Sequence, residues 1–256
     1  MALIEEFDES GNWLFNKRSY VPLVLYVLAV LVIWLDGNEM FLYSNAAWGL
    51  SCYLISMVGQ IIRALVIGYV PKSTSGRNTE GQVAETLNIK GIYATVRHPL
   101  YLGNFFMWLG VIMYVGNFWF LIVCSLLFWI YYERIMFAEE HFLRKKFKEV
   151  YLSWSDYTPA FWPRWEQWTS PQLKFSWRNV FKREYNGFFA VGVSLLFIAI
   201  LKSYFYNPQF NWNISWIKEN FVVPNFIMYI FLMSACLFVL FRSLKRYTKL
   251  LDVTGR

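Results

Sequence analysis

The sequence predicts an all-α protein: a polytopic integral membrane helical bundle of about six transmembrane helices. Three observations carry that prediction. Of 256 residues, 57% are apolar, 21% aromatic and only 16% charged, which is too apolar for an ordinary soluble domain and rich in the rings that gather at membrane interfaces. Apolar runs recur at 20–35, 47–70, 100–115, 118–132, 188–206 and 222–241. Several fall a little short of the roughly 20 residues a perpendicular helix needs, and flanking aromatics extend them. Finally, the basic residues are distributed between the loops as a single orientation requires.

Lys17 and Arg18 precede the first run, and Lys72, Arg77, Lys90 and Arg97 lie between the second and third. The segment 133–187 is basic throughout, from Arg134, Arg144, Lys145, Lys146 and Lys148 to Lys182 and Arg183, and the tail carries Arg242, Lys245, Arg246, Lys249 and Arg256. The opposite loops hold only Lys202 and Lys218. One assignment satisfies every loop: both termini and both large loops are cytoplasmic. The net charge of +7 is then a property of those loops, and with no nucleic-acid-binding motif beside it a DNA or RNA partner is not expected.

Taken in order, the N-terminus carries Glu5, Glu6, Asp8 and Glu9, the wrong charge for a signal peptide, so the first run is expected to be a retained anchor. The C-terminus has no prenylation box. The second run holds Arg63 near its cytoplasmic end, where it either snorkels or reaches a cavity. Only Gly116 and Asn117 separate the third and fourth runs, which predicts a tight helical hairpin turning at the far face. The fourth run continues as a charged cytoplasmic helix. A loop follows in which Pro159, Pro163 and Pro171 stop helix formation, while Trp154, Trp162, Trp165 and Trp168 read as an interfacial belt. Two more runs close the chain. The organisation is 1–46, an N-terminal segment with the first transmembrane helix; 47–165, a core; and 166–256, a loop with the last two helices and a basic tail. Cys52, Cys124 and Cys236 fall inside runs and read as small apolar packing residues. With only His98 and His141 present, no metal site is expected. There is no Walker loop, GxGxxG, GxSxG or internal repeat.

The polar information lies on one face. In GIYATVRHPLYLG at 91–103, Pro99 suits the first position of a helix. The N–H groups of Leu100, Tyr101 and Leu102 are then left without helical partners and, with Arg97 and the helix dipole, form an anion site. Alternatively, Arg97 and His98 snorkel to lipid headgroups. Gly103 and Gly110 leave room for a neighbouring helix or ligand. In the charged helix, Ile135, Phe142, Leu143, Phe147, Val150, Tyr151 and Trp154 recur as a helical stripe. Glu139 lies on it, an inward carboxylate that either binds a cationic or hydroxyl group or pairs with Arg97 or Arg134. Glu140 heads an i,i+4 ladder with Arg144 and Lys148, which suffices to explain it as part of a solvated face. As the second carboxylate of the pair it is nevertheless counted with Arg97 and Arg134 as a catalytic candidate.

The set GxYxxVRHPxYxG at 91–103, EExxL at 139–143 and F-x3-Y-x2-W with two prolines across 147–163, preceded by SGRN at 75–78, resembles the isoprenylcysteine carboxyl methyltransferase superfamily. These are integral-membrane enzymes that use S-adenosylmethionine. The resemblance covers roughly 47–163 and implies a cofactor site at the cytoplasmic face, not a soluble dinucleotide-type domain. By position it implies that Glu85, Thr86, Leu87 and Asn88 line the cofactor, that Tyr93, His98, Pro99, Leu100 and Tyr101 contact it, and that Glu139 holds its charged groups. Arg97 orients an anionic acceptor, assisted by Arg134. Prenylcysteine enzymes place an Arg four residues before the first Glu of the EE pair. Here that position is Ile135, with Arg134 beside it. The departure weakens the prenylcysteine reading, and the full stretch SGRNTEGQVAETLNIKGIYATVRHPLYLGNF at 75–105 looks more like bacterial relatives that methylate the 1-phosphate of lipid A, which implies a bacterial inner membrane. A prenylcysteine carboxylate, a phospholipid amine, and an NADPH-dependent membrane reductase remain as alternatives.

Overall fold

The computed structural model describes residues 2–20, 23–36, 45–71, 82–205 and 224–255. The SGRN stretch, Lys72, Arg77, Lys218 and the start of the sixth apolar run lie outside the described residues. The regular elements are helices: α1 (Leu3–Lys17), α2 (Leu23–Asp36), α3 (Ala46–Tyr69), α4 (Pro99–Val115), α5 (Phe118–Ser155), α6 (Trp177–Phe205) and α7 (Asn225–Tyr247), with single 3-10 turns at Ile92–Ala94 and Trp165–Gln167. By length and composition α3, α5, α6 and α7 can cross a membrane, whereas α4 and the apolar part of α2 are shorter. Among the described residues each apolar run is represented by a helix, and four of these helices have full spanning length.

Helix α1 was not anticipated from the sequence. Glu5 and Glu6 in its first turn and Lys17 in its last complement the helix dipole. It packs on the charged half of α5. Gly11 lies against the backbone of Arg134 and the methyl of Ala138. His141 Nδ1 is 2.9 Å from Asp8 Oδ1, and the Arg134 guanidinium sits 3.3 Å over the Phe7 ring.

Helices α3 and α4 cross closely because Gly59 and Gly103 lack side chains. A Cβ on Gly59 would strike the Gly103 carbonyl, and one on Gly103 would strike Arg63. Ser56 Oγ bonds across the crossing to the Met107 carbonyl at 2.9 Å. The α4–α5 hairpin forms as expected. Gly116 takes the left-handed conformation (φ 85°) that ends α4, and the Asn117 side chain caps α5 by accepting from Phe120 N–H at 2.8 Å.

One apolar core joins the apolar helices, with Ile33, Cys52, Tyr114, Cys124, Leu195, Ile198 and Ile227 essentially inaccessible. Cys236 departs from the packing role expected of it and is exposed. Helix α7 buries a face through Ile227, Ile230 and Ser234, and Cys236 lies about 200° around the helix from Ser234. Lys202 also departs from expectation. It belongs to α6, not to a far-side loop, and is buried, donating to the Tyr114 carbonyl in the last turn of α4 at 2.8 Å. The long helix α5 breaks at Lys148, where φ is 46° and ψ −121°. The apolar stripe read from the sequence therefore loses register there: Ile135 and Tyr151 are buried but Val150 is 56% exposed.

Candidate active site

The RHP segment is built by main-chain bonds to the loop that follows α5. Arg97 N–H donates to the Pro159 carbonyl at 2.8 Å and His98 N–H to Ala160 at 3.2 Å. In return, Arg164 N–H donates to the Thr95 carbonyl at 2.9 Å, and Gly91 N–H donates to Thr169 at 3.0 Å. Prolines stop helix formation in that loop, which leaves its carbonyls free to act as the clamp. Thr95 and Val96 are fully buried beneath it. Trp154, assigned to an interfacial belt, instead braces the segment by donating from Nε1 to the Tyr93 carbonyl at 3.1 Å, while Trp162, Trp165 and Trp168 are exposed.

Helix α4 starts at Pro99, with His98 as its N-cap. The anion site expected of its first three N–H groups is largely closed. Tyr101 and Leu102 both donate to the His98 carbonyl, at 3.1 and 3.2 Å. The first of these is a tighter 3-10-type bond, common where helices begin. Only the Leu100 N–H stays outside the ladder.

The charges meet at His98, which is buried. Its Nε2 is 2.8 Å from Glu140 Oε1 and its Nδ1 3.5 Å from Glu139 Oε2. Arg97 Nε lies 3.0 Å from the same Glu140 oxygen, and Arg97 Nη1 donates to the Ser155 carbonyl at 3.1 Å. Burial opposes charge on the imidazole, but the two carboxylates outweigh it and raise its pKa to about 9. His98 is therefore an imidazolium at neutral pH. This corrects the expectation for Glu140. Its ion pairs are with Arg97 and His98, not with Arg144 or Lys148, and the break at Lys148 removes the last rung of that ladder. Adjacent residues on a helix differ by about 100°, so Glu139 and Glu140 flank one inward edge together.

These groups open into a cavity of about 760 Å³. Arg97, His98, Pro99, Leu100 and Tyr101 line it, as do Glu139 and Glu140. Tyr93 and the stretch Thr86, Leu87 and Asn88 complete that wall. Two candidates are not on it. Glu85 is exposed beyond the lining. Arg134 is turned toward α1 onto Phe7, because one residue before the buried Ile135 faces a different side of α5.

The sequence reading missed the rest of the wall. Phe15, Arg18 and Ser19 come from the end of α1; Asn104 and Tyr132 come from the hairpin; Asn179, Lys182, Arg183 and Glu184 come from α6. Arg63 does reach the cavity, paired with Glu184. The one available signal was the sequence Lys-Arg-Glu at 182–184, a carboxylate next to two cations at the mouth of an apolar run.

The volume is that of a small-molecule site. Aromatic rings at Phe15, Tyr93 and Tyr101, the carboxylates of Glu139 and Glu140, and the Leu100 N–H offer stacking, hydroxyl- and amine-binding, and anion contacts. That donor set fits a nucleoside joined to an amino acid. Among the described residues no group of three His, Cys, Asp or Glu could hold a metal ion.

A family model described as phospholipid methyltransferase matches residues 47–150. The protein-S-isoprenylcysteine O-methyltransferase of Schizosaccharomyces pombe is 32% identical over 124 residues, covering 46% of this chain and 48% of that protein. The chain thus spans about half the length of this relative. No solved structure matches. Both findings agree with the superfamily that the sequence motifs resemble, and neither reaches its lipid A branch.

Proposed function

We propose that the chain is an S-adenosylmethionine-dependent membrane methyltransferase that acts on an anionic oxygen of a lipid-like acceptor. One observation carries the reading: the start of α4 and the Glu139–Glu140 edge of α5, 42 residues apart at the His98–Glu140 bond, line one cavity of cofactor size at the end of apolar helices.

When bound, S-adenosylmethionine supplies a methyl group already activated by its sulfonium: the new C–O bond forms as the C–S bond breaks, and the electron pair returns to sulfur. An anionic acceptor has no proton to lose, so the protein needs no strong base. Its work is to hold two molecules in line and exclude water. Glu139 binds the amino or ribose hydroxyl groups of the cofactor. Tyr93, Thr86, Leu87 and Asn88 enclose its nucleoside. The His98 imidazolium fixes both carboxylates, and Arg97, oriented by Glu140 and the Ser155 carbonyl, faces the acceptor.

Two acceptors remain in play. The matching relative is named for a prenylcysteine acceptor, which supports a prenylcysteine carboxylate. Ile135 stands where prenylcysteine enzymes carry an arginine, which weakens that acceptor, and the resemblance of the stretch 75–105 to enzymes that methylate a lipid phosphate supports lipid A 1-phosphate as the specific candidate. Incubation of the purified chain with methyl-labelled cofactor and each acceptor, followed by mass analysis, tests both. Label in a phosphate methyl ester or a carboxyl methyl ester selects one acceptor. Label on an ethanolamine nitrogen would overturn the anionic-oxygen reading, and binding of NADPH without S-adenosylhomocysteine would overturn the methyltransferase reading.

A further inference from the structure

We infer that the break of α5 at Lys148 is part of the site: it folds the half-helix 149–155 back onto Arg97 and makes Tyr151 a further positioning residue, acting through Glu140. The inference rests on the proposed methyl transfer, in which Arg97 faces the acceptor.

The backbone comes first. Glu140 and Ser155 are fifteen positions apart, about 22 Å along a straight helix. Arg97 touches both. Its Nε lies 3.0 Å from Glu140 Oε1, and its Nη1 donates to the Ser155 carbonyl at 3.1 Å. One guanidinium and one glutamate side chain cannot bridge a straight helix of that length, so the chain bends sharply between the two. The bend is at Lys148, the one non-glycine among the described residues with a positive φ. Its φ of 46° and ψ of −121° lie close to those of Gly91, 64° and −132°, at the position of a II′ turn that glycine fills. A lysine there is strained, and such strain persists only where the surrounding structure holds it. The Lys148 side chain is exposed, so its own burial does not offset the strain.

The compensation lies downstream, where three groups of the half-helix reach the site. The Ser155 carbonyl, at a helix end where carbonyls lack helical partners, receives Arg97. Trp154 Nε1 donates to the Tyr93 carbonyl at 3.1 Å. Tyr151, 3% exposed, lines the cavity with Glu140 and Arg97 and packs edge-on against Trp154, ring centroids 5.7 Å apart. A straight α5 would carry all three away from the cavity.

Glu140 links Tyr151 to Arg97. Its Oε1 takes both His98 Nε2 and Arg97 Nε. The Tyr151 hydroxyl lies by this carboxylate, and each acts on the other. The hydroxyl is buried with no hydrogen bond closed to any other described residue, so its proton is at the disposal of Glu140. A phenol that steadies Glu140 steadies the guanidinium that Glu140 aims.

The test uses the full chain in phosphatidylcholine nanodiscs, with two readouts. One is methyl transfer from labelled S-adenosylmethionine to N-acetyl-S-farnesylcysteine or dioleoyl phosphatidic acid. The other is the rate at which phenylglyoxal modifies Arg97, followed by peptide mass analysis with Arg134 as the reference. Tyr151→Phe keeps the ring against Trp154 and removes only the hydroxyl. Its kcat should fall about tenfold, the worth of one charge-assisted bond, with KM for S-adenosylmethionine within about twofold, and Arg97 should react several times faster. Lys148→Gly should raise the unfolding midpoint by a few degrees, since glycine adopts this conformation freely, and keep Arg97 as slow to react as in the wild type. Lys148→Val, which resists a positive φ, should free Arg97 as Tyr151→Phe does. Wild-type reactivity of Arg97 in Tyr151→Phe, or a lower midpoint in Lys148→Gly, would overturn the inference. So would a Tyr151→Phe that loses stability with kcat unchanged, since the phenol would then serve packing alone. A wild type that methylates neither acceptor, while Arg97 still reacts faster in Tyr151→Phe, would instead sink the methyl-transfer reading and leave the fold-back standing.

Discussion

Arg63 of α3 grips Glu184 of α6 through two bonds, Nε to Oε2 at 2.8 Å and Nη2 to Oε1 at 3.0 Å. The pair is braced on both sides. Arg63 Nη1 donates to Asn104 Oδ1 at 2.6 Å, Asn104 Nδ2 to the Tyr132 hydroxyl at 3.0 Å, and Gln60 Nε2 to Glu184 at 3.2 Å. The network ties the matched segment to α6 at the floor of the cavity. Breaking a buried pair by removing one partner's charge costs about 3–5 kcal/mol, since the other charge is left uncompensated. Glu184→Gln should therefore lower the unfolding midpoint in detergent far more than Glu149→Gln on the exposed surface. Equal midpoints for the two variants would mean that the pair does not join the helices.

The two neighbouring carboxylates should separate by function. Glu140 holds both His98 and Arg97, so Glu140→Gln should lower both thermal stability and affinity for S-adenosylhomocysteine. Glu139 meets His98 at the longer distance of 3.5 Å and borders the cavity. Glu139→Gln should weaken binding by an amount corresponding to a charged hydrogen bond, about 1.5–3 kcal/mol, with a smaller thermal loss than Glu140→Gln. Calorimetry and thermal scans on both variants check this. Matching thermal losses would remove the distinction.

The pH response follows from His98. Its pKa rises from 6.5 to about 9, so the imidazolium contributes stability that is fully present below about 6.5 and is lost as pH climbs through about 9. The unfolding midpoint of the wild type should decline across pH 7–10, and that of His98→Gln should decline less. A variant with the wild-type slope would show that another group sets the response.

The two arginines should differ in kind. Arg97→Ala should abolish turnover while the protein remains folded in the membrane, because Arg97 borders the cavity beside Glu140. Arg134→Ala should keep turnover and cost about 0.5–2 kcal/mol, the range of a cation–π contact, through its stacking on Phe7. Steady-state rates with labelled cofactor decide it: loss of turnover in Arg134→Ala would return that residue to the site.

The sequence by itself determined what local chemistry can encode. Apolar run lengths marked the helices, Gly116–Asn117 marked the hairpin through a left-handed turn and a side-chain cap, and the RHP and EE motifs marked one edge of the cavity, since their residue types are unusual at the ends of apolar helices. Tertiary structure decided which charges meet. Glu140 read as solvated because a helical ladder explained it locally, yet the clamp from Pro159 and Ala160 swings His98 and Arg97 onto it. Arg134 read as a partner of the site, yet a rotation of one residue sends it to α1. The far wall was invisible for the same reason: Arg18 and Arg183 are 165 positions apart in the chain, and no periodicity reports that two such distant residues line one cavity.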